Sequence, residues 1–221
     1  MTGHQSKIQA VLFDLDGTLI DSAPDLGAAA NRMRQRRGMS PLALHRYRAM
    51  AGAGARGMLG VAFGIKPAMP GYAALKEEFF QSYEADLLGH TAAFDGVTNL
   101  LASLGARGLP WGIVTNKSER FTAPIVSQMP VLQGCAAAVS GDTTAHAKPH
   151  PAPVLEACKR LQLKPAQVLY VGDDERDIQS GNAAGTRTAA CTWGYLGANP
   201  DVATWHAHHV LHVPSDLLFL L

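Results

Sequence analysis

The run Ala10-Val11-Leu12-Phe13-Asp14-Leu15-Asp16-Gly17-Thr18-Leu19 decides the fold. Four consecutive apolar residues have the length of a strand, and an unbroken apolar run reads as a strand buried on both faces, as in parallel sheets flanked by helices. The run stops at two aspartates one residue apart and then a glycine, so the strand opens into a turn. Residues two apart on an extended chain point to the same side. The carboxyl ends of parallel strands are also where such sheets place their ligands. Asp14 and Asp16 are therefore expected to converge on one site, where a divalent cation would relieve their repulsion. Alternatively, the pair only shapes the turn and caps the segment after Gly17.

Outward from this stretch, similar runs recur at 110–115, 136–140, Val168–Gly172 and 186–190. Between them lie helical stripes: Val97, Leu100, Leu101 and Leu104, closed by Gly108, then Val154, Leu155, Cys158 and Leu161. A further helix over 177–184 precedes Gly185 as its C-cap. Strand and helix in alternation predict right-handed crossovers and a doubly wound, Rossmann-like parallel sheet of the α/β class. From 20 to 91 the rhythm changes. No strand signal is found there, only helical periodicity over 25–37, 42–50, 56–63 and 72–88, the last with Leu75, Phe79, Tyr83 and Leu87 as its stripe. The expected organisation is an α/β core of residues 1–19 and 92–221 with an all-helical cap, 20–91, inserted after the first strand. The Gly-, Asn- and Pro-rich stretch 194–200 reads as a loop, and Val210, Leu211 and Val213 as a short edge strand.

Composition narrows the class of partner. With 19 basic against 18 acidic residues the formal charge is +1, so neither a nucleic-acid binder nor a polybasic membrane patch is indicated. A small molecule is the expected partner. No apolar run reaches the roughly 18 residues of a membrane span. The start, residues 1–7, is polar, and the apolar stretch after it is interrupted by Asp14 and Asp16, so it cannot serve as a signal-peptide core. A cytoplasmic location is expected. Cys135, Cys158 and Cys191 are odd in number and widely spaced, which predicts small buried apolar residues rather than a disulfide framework. His206, His208, His209 and His212 have no carboxylate or cysteine arranged with them and read as solvent-facing. The stretch Gly52-Ala53-Gly54-Ala55-Arg56-Gly57 has the spacing of a dinucleotide turn, but it follows helical sequence instead of a strand.

Further chemistry-bearing residues stand where other strands end. Thr115 and Asn116 offer a hydroxyl and an amide to phosphate oxygens, or else act as an ordinary helix N-cap. Lys148, before Pro149 and ahead of a helix, offers a fixed positive charge, or else is a solvated lysine. Asp173 and Asp174 follow the strand Val168–Gly172, with Asp177 one helical turn on. Three carboxylates there are costly without a cation, although one of them could cap the helix.

Asp14-Leu15-Asp16-Gly17-Thr18-Leu19, Thr115-Asn116, Lys148-Pro149 and Gly172-Asp173-Asp174 through Asp177 together resemble the four motifs of the haloacid dehalogenase-like hydrolase superfamily. The resemblance covers nearly the whole chain and narrows to the phosphoglycolate phosphatase group, with its extended first motif and helical cap. Within that group it is similar to bacterial N-acetylmuramic acid 6-phosphate phosphatases, through softer stretches such as Ala53-Gly54-Ala55-Arg56 and Leu109-Pro110-Trp111-Gly112. The resemblance implies that Asp14 is the nucleophile that becomes an aspartyl phosphate. It implies that Asp16 protonates the leaving alcohol and then activates water, that Thr115 and Asn116 hold the phosphoryl group, and that Lys148 offsets its charge. Mg²⁺ would be bound by Asp14, Asp173 and the backbone carbonyl of Asp16. The glycine-rich stretch of the cap would face the site, with Arg56 either contacting the leaving group or solvated. The expected activity is a Mg²⁺-dependent phosphatase on a small phosphorylated metabolite, of phosphoglycolate phosphatase type, with N-acetylmuramic acid 6-phosphate as the alternative substrate. A sugar phosphomutase and a non-catalytic phosphoacceptor are the alternatives, and a monomer or homodimer is expected. The presence of Asp16 argues for phosphate chemistry, since a dehalogenase has no leaving alcohol to protonate.

Overall fold

The computed structural model describes residues 7–197 and 199–221; the polar start at 1–6, and Ala198 within the 194–200 loop, lie outside the described residues. Strand β1 spans Ala10–Phe13. It lies between β4 (Trp111–Val114) and β6 (Val168–Gly172), parallel to both. With β5 (Ala137–Val139), β7 (Arg187–Cys191) and β8 (His209–Leu211) they form one six-stranded sheet, ordered β5-β4-β1-β6-β7-β8, in which every pairing is parallel.

The pleat of β1 explains its unbroken apolar sequence. Val11 and Phe13 share one hydrophobic cluster with Leu100 and Leu104 of α5 (Val97–Ala106) and Phe121 and Ile125 of α6 (Glu119–Gln128). Ala10 and Leu12 belong to another cluster, with Val154, Ala157 and Cys158 of α7 (Ala152–Arg160) and Tyr170 of β6. Both faces of the strand are thus covered by helices, and alternation of apolar with polar residues has no place in it. Helix α8 (Glu175–Ala184) packs beside α7 against β6 and β7. The three cysteines are free, two of them buried.

After β1 the chain passes through β2 (Ile20–Asp21) into four helices: α1 (Ala23–Arg36), α2 (His45–Arg48), α3 (Gly54–Phe63) and α4 (Tyr72–Glu84). It returns through β3 (Ala92–Ala93), antiparallel to β2. Helix α1 packs on α3 and α4, and Met33, Tyr47, Met58, Phe79 and Tyr83 are buried among them. Asp25, fully buried, accepts from the backbone N–H groups of His90 and Thr91 and from the Thr91 hydroxyl. It therefore ties the start of α1 to the returning strand.

The structure departs from the sequence reading at three places. β2 falls in a stretch where no strand is expected; two residues paired with only two others carry no readable periodicity. The helix expected over 42–50 contracts to α2, His45–Arg48, bracketed by Pro41 and by the turn around Gly52. The helix expected over 72–88 ends at Glu84, before the segment that Asp25 captures. No helix among the described residues is long and apolar enough to cross a membrane.

Candidate active site

Because β4 and β6 flank β1, their carboxyl ends stand side by side, and each carries part of the residue set read from the sequence. Asp14 follows β1, Thr115 and Asn116 follow β4, and Asp173 follows β6. Asp14, Asp173 and Asp177 each bring a carboxylate oxygen to within 4.8 Å of the others. Asp173 is fixed by Thr18 Oγ1, which donates to its Oδ1 at 3.0 Å, and by the Tyr195 backbone N–H, which donates to its Oδ2 at 2.7 Å. The approach needs a bare backbone at Gly17, whose φ is +94° and where a Cβ would overlap the Asp173 carboxylate.

Lys148 lies inside this cluster with its side chain 2 % exposed. Its Nζ is 2.9 Å from Asp14 Oδ1 and 2.6 Å from Asp177 Oδ1, and it donates to the Val114 carbonyl and the Tyr170 hydroxyl. Burial alone would lower its pKa, but the two carboxylates outweigh burial and hold the ammonium above its ordinary value. Asp173 is pushed well above the usual carboxylate range, by burial first and then by the charges of Asp14 and Asp177. Asp14 Oδ1 is buried, with the Lys148 ammonium as its one close polar neighbour among the described residues, and can accept a further partner. Three buried carboxylates converging within 4.8 Å, with no sulfur or imidazole ligand among them, fit a hard divalent cation such as Mg²⁺.

Asp16 lines the same cavity and has partners of its own. Ser22 Oγ donates to its Oδ1 at 2.5 Å, and Lys117 Nζ lies 3.0 Å from each of its two oxygens. The Lys117 ammonium also sits 4.8 Å from the centre of the Tyr83 ring, which descends from α4. Burial depresses its pKa most, yet the Asp16 charge and Tyr83 together outweigh burial and hold it above its ordinary value.

The other expected residues divide. Thr115 is buried at the site, its Oγ1 accepting from the Lys117 backbone N–H. Asn116 spends its side-chain amide on the Lys148 backbone, donating to the carbonyl at 3.0 Å and accepting from the N–H at 2.9 Å. It thereby fixes the loop that carries the lysine. Asp174 is the N-cap of α8, accepting from the Arg176 backbone and pairing with the Arg176 guanidinium, whereas Asp177 belongs to the carboxylate cluster. Arg176 also donates to the carbonyl of Gly52 at 2.9 Å, linking α8 to the loop before α3. Arg56 is exposed and lines the cavity that opens over the carboxylates. The element before the glycine-rich stretch is helix α2 and not a strand, and the stretch forms part of the cavity wall. The His150 ring packs on His146, and His208 and His212 pair with Thr188 and Thr192. Among the described residues the aspartate triad is the sole group of three or more His, Cys, Asp or Glu able to hold a metal.

Two residues of this site escape sequence reading. Lys117 follows Thr115-Asn116 as a surface lysine would, and its partner Asp16 is 101 residues away. Tyr195 lies in the loop stretch 194–200, yet its hydroxyl accepts from the backbone of Ser22 and Ala23 and donates to Asp21 while its N–H holds Asp173.

Above the carboxylates opens a cavity of about 530 Å³ between the sheet edge and α1, α3 and α4. Leu26, Ala51, Phe79, Phe80, Tyr83 and Phe121 give it an apolar wall, and Arg56, Lys76 and Lys117 give it positive charge.

The family model described as haloacid dehalogenase-like hydrolase matches residues 11–191. A protein of Pseudomonas putida named N-acetylmuramic acid 6-phosphate phosphatase is 42% identical over 211 residues, 96% of this chain and 95% of its own. A protein of Xanthomonas campestris pv. campestris named phosphoglycolate phosphatase is 44% identical over 209 residues, 95% of this chain and 94% of its own. A crystal structure from Haemophilus somnus, described as a predicted phosphoglycolate phosphatase, superposes with a TM-score of 0.82 at 26% identity, covering 96% of this chain and 97% of that one.

Proposed function

The chain belongs to the haloacid dehalogenase-like hydrolase family and is a phosphatase of that family, and on that premise we propose that it hydrolyses a sugar-sized phosphate monoester through a phosphorylated Asp14. The observation that carries this reading is the placement of Asp14 at the end of β1, with the buried Lys148 ammonium 2.9 Å from it and Asp173 and Asp177 alongside. Phosphoryl transfer asks a protein mainly for positioning and charge neutralisation, and this cluster provides both.

In the first displacement an Asp14 oxygen attacks phosphorus and the bond to the ester oxygen breaks. Asp16, carrying the proton it took from water in the preceding turnover, gives it to the departing alkoxide, so the alcohol leaves neutral. In the second, Asp16 as carboxylate takes a proton from water, whose oxygen attacks the same phosphorus; the bond from phosphorus to the Asp14 oxygen breaks, inorganic phosphate leaves and Asp14 is again a carboxylate. Lys148 offsets charge on the phosphoryl oxygens, Thr115 offers its hydroxyl to them, and Asn116 holds the Lys148 loop. Asp14, Asp173 and the Asp16 carbonyl would hold Mg²⁺, with Asp177 beside them. When bound, Mg²⁺ neutralises the carboxylates and the phosphate together. The helical segment 20–91 serves as the cap that closes the reaction from bulk water.

The cavity supports a choice of substrate. Its volume of about 530 Å³ falls in the range that accommodates sugar- or drug-sized ligands. A two-carbon ester would leave most of its apolar wall uncovered. N-acetylmuramic acid 6-phosphate, the substrate named for the Pseudomonas relative, would cover that wall, and its carboxylate suits the positive charge of Arg56 and Lys76. The second reading, 2-phosphoglycolate, is favoured by the name of the Xanthomonas relative and carries the same two anionic groups. The test is phosphate release in Mg²⁺ over a panel of metabolite phosphates containing both. The sugar ester should have a kcat/KM higher by on the order of tenfold or more, and the reverse order would select the small ester instead. Transfer of phosphate to a second sugar position in place of release would identify a phosphomutase.

A further inference from the structure

We propose that Lys117 is the positioning residue for Asp16, holding its carboxylate in line with the leaving oxygen when the cap is closed. The inference rests on the reading of Asp16 as proton donor.

Asp16 sits on the loop after β1, where a carboxylate with free side-chain rotation could not be counted on to meet one particular ester oxygen. Two groups restrain it from different sides. Ser22, at the entry to α1, donates to Oδ1, and Lys117 contacts both oxygens at 3.0 Å. Lys117 is itself confined. Its side chain is 7 % exposed, its carbonyl accepts from the Gly141 N–H and the Thr122 hydroxyl, and its ammonium is covered by the Tyr83 ring. Its ammonium is thus engaged by Asp16 on one side and Tyr83 on the other, the geometry of a side chain that serves another side chain. Tyr83 stands on α4 of the helical segment, while Lys117 and Asp16 stand on loops of the sheet. The Tyr83–Lys117–Asp16 line thus connects the cap to the acid, and it completes the acid's alignment only when α4 is down.

A mis-set proton donor has a signature that neither substrate binding nor general stability shares. The cost grows with the basicity of the leaving group, because a good leaving group needs no proton. The experiment compares kcat/KM for a series of para-substituted phenyl phosphates of similar shape but different leaving-group basicity, in the Mg²⁺-loaded native protein and in Lys117→Met, Lys117→Arg and Asp16→Asn. kcat/KM is the right quantity because it covers the steps up to departure of the phenol and leaves out breakdown of the phosphorylated enzyme. Lys117→Met should lose about 10²-fold on the most basic phenol, the scale of loss for a misplaced catalytic group, and only a few-fold on p-nitrophenyl phosphate. Lys117→Arg should recover part of that difference. Equal losses across the series in Lys117→Met, with a steep dependence in Asp16→Asn, would overturn the proposal and leave the role of Asp16 standing. A flat series in Asp16→Asn would overturn both.

Discussion

Gly17 shows how tightly single residues constrain this site. Its backbone lies in the left-handed region, and a methyl there would overlap the Asp173 carboxylate. Gly17→Ala should cost about 1–2 kcal/mol from the backbone alone, read by chemical denaturation. It should also weaken Mg²⁺ binding by displacing Asp173, read by titration of activity with the metal. Unchanged metal affinity would mean that Asp173 does not need its present position. The residues legible in the sequence, Asp14, Asp16, Asp173 and Lys148, share one property: each stands beside a strand end or helix start that the surrounding residues mark. Lys117 and Tyr195 carry no such mark, because what gives them meaning is a partner distant in sequence. Asp174 and Asp177 are indistinguishable in sequence for a different reason. Either carboxylate can cap a helix, and only the packed structure shows that Asp174 is the N-cap while Asp177, which closes the capping box through Oδ2, turns Oδ1 toward Lys148.

At the scale of elements, the contact of α4 with α6 joins the helical segment to the sheet. Phe121 meets Phe80 edge-on at 5.1 Å between ring centres and Tyr83 at 5.3 Å. Phe121→Ala should destabilise the fold by about 3–5 kcal/mol, as large-to-small changes of buried aromatics do, with the loss read from urea unfolding. It should also raise KM, since Phe80, Tyr83 and Phe121 line the cavity together. A variant with native stability and KM would show that this contact does not define the closed form. β1, β4 and β6 are legible because each is a buried apolar run, and α1, α3 and α4 because each carries a stripe. β2 is not, being two residues long and defined only by its pairing with β3 on the far side of the helical segment. The ends of α2 and α4 are equally hidden, since the tie from Asp25 to His90 and Thr91 is tertiary and leaves no periodic trace.

At the scale of the whole molecule, the α/β core is legible because strand and helix alternate, whereas the cavity is not, because its walls come from several separate stretches of chain. The aspartate triad also links metal binding to stability. A cation that binds only the folded chain stabilises it by about 2.7 kcal/mol at a hundred times its Kd. Mg²⁺ should therefore raise the melting temperature in calorimetry, chelation should reverse the rise, and Asp173→Asn should abolish it. A melting temperature indifferent to Mg²⁺ would contradict a cation site at this sheet edge.

The most direct test of the account is the chemical state of Asp14 during turnover. Native protein mixed with Mg²⁺ and substrate, quenched in acid within the first turnovers and digested, should yield the peptide containing Asp14 with one added phosphoryl group that is lost on treatment with hydroxylamine. A phosphoryl group found on another residue, or undiminished phosphate release by Asp14→Asn with no phosphorylated peptide, would contradict it.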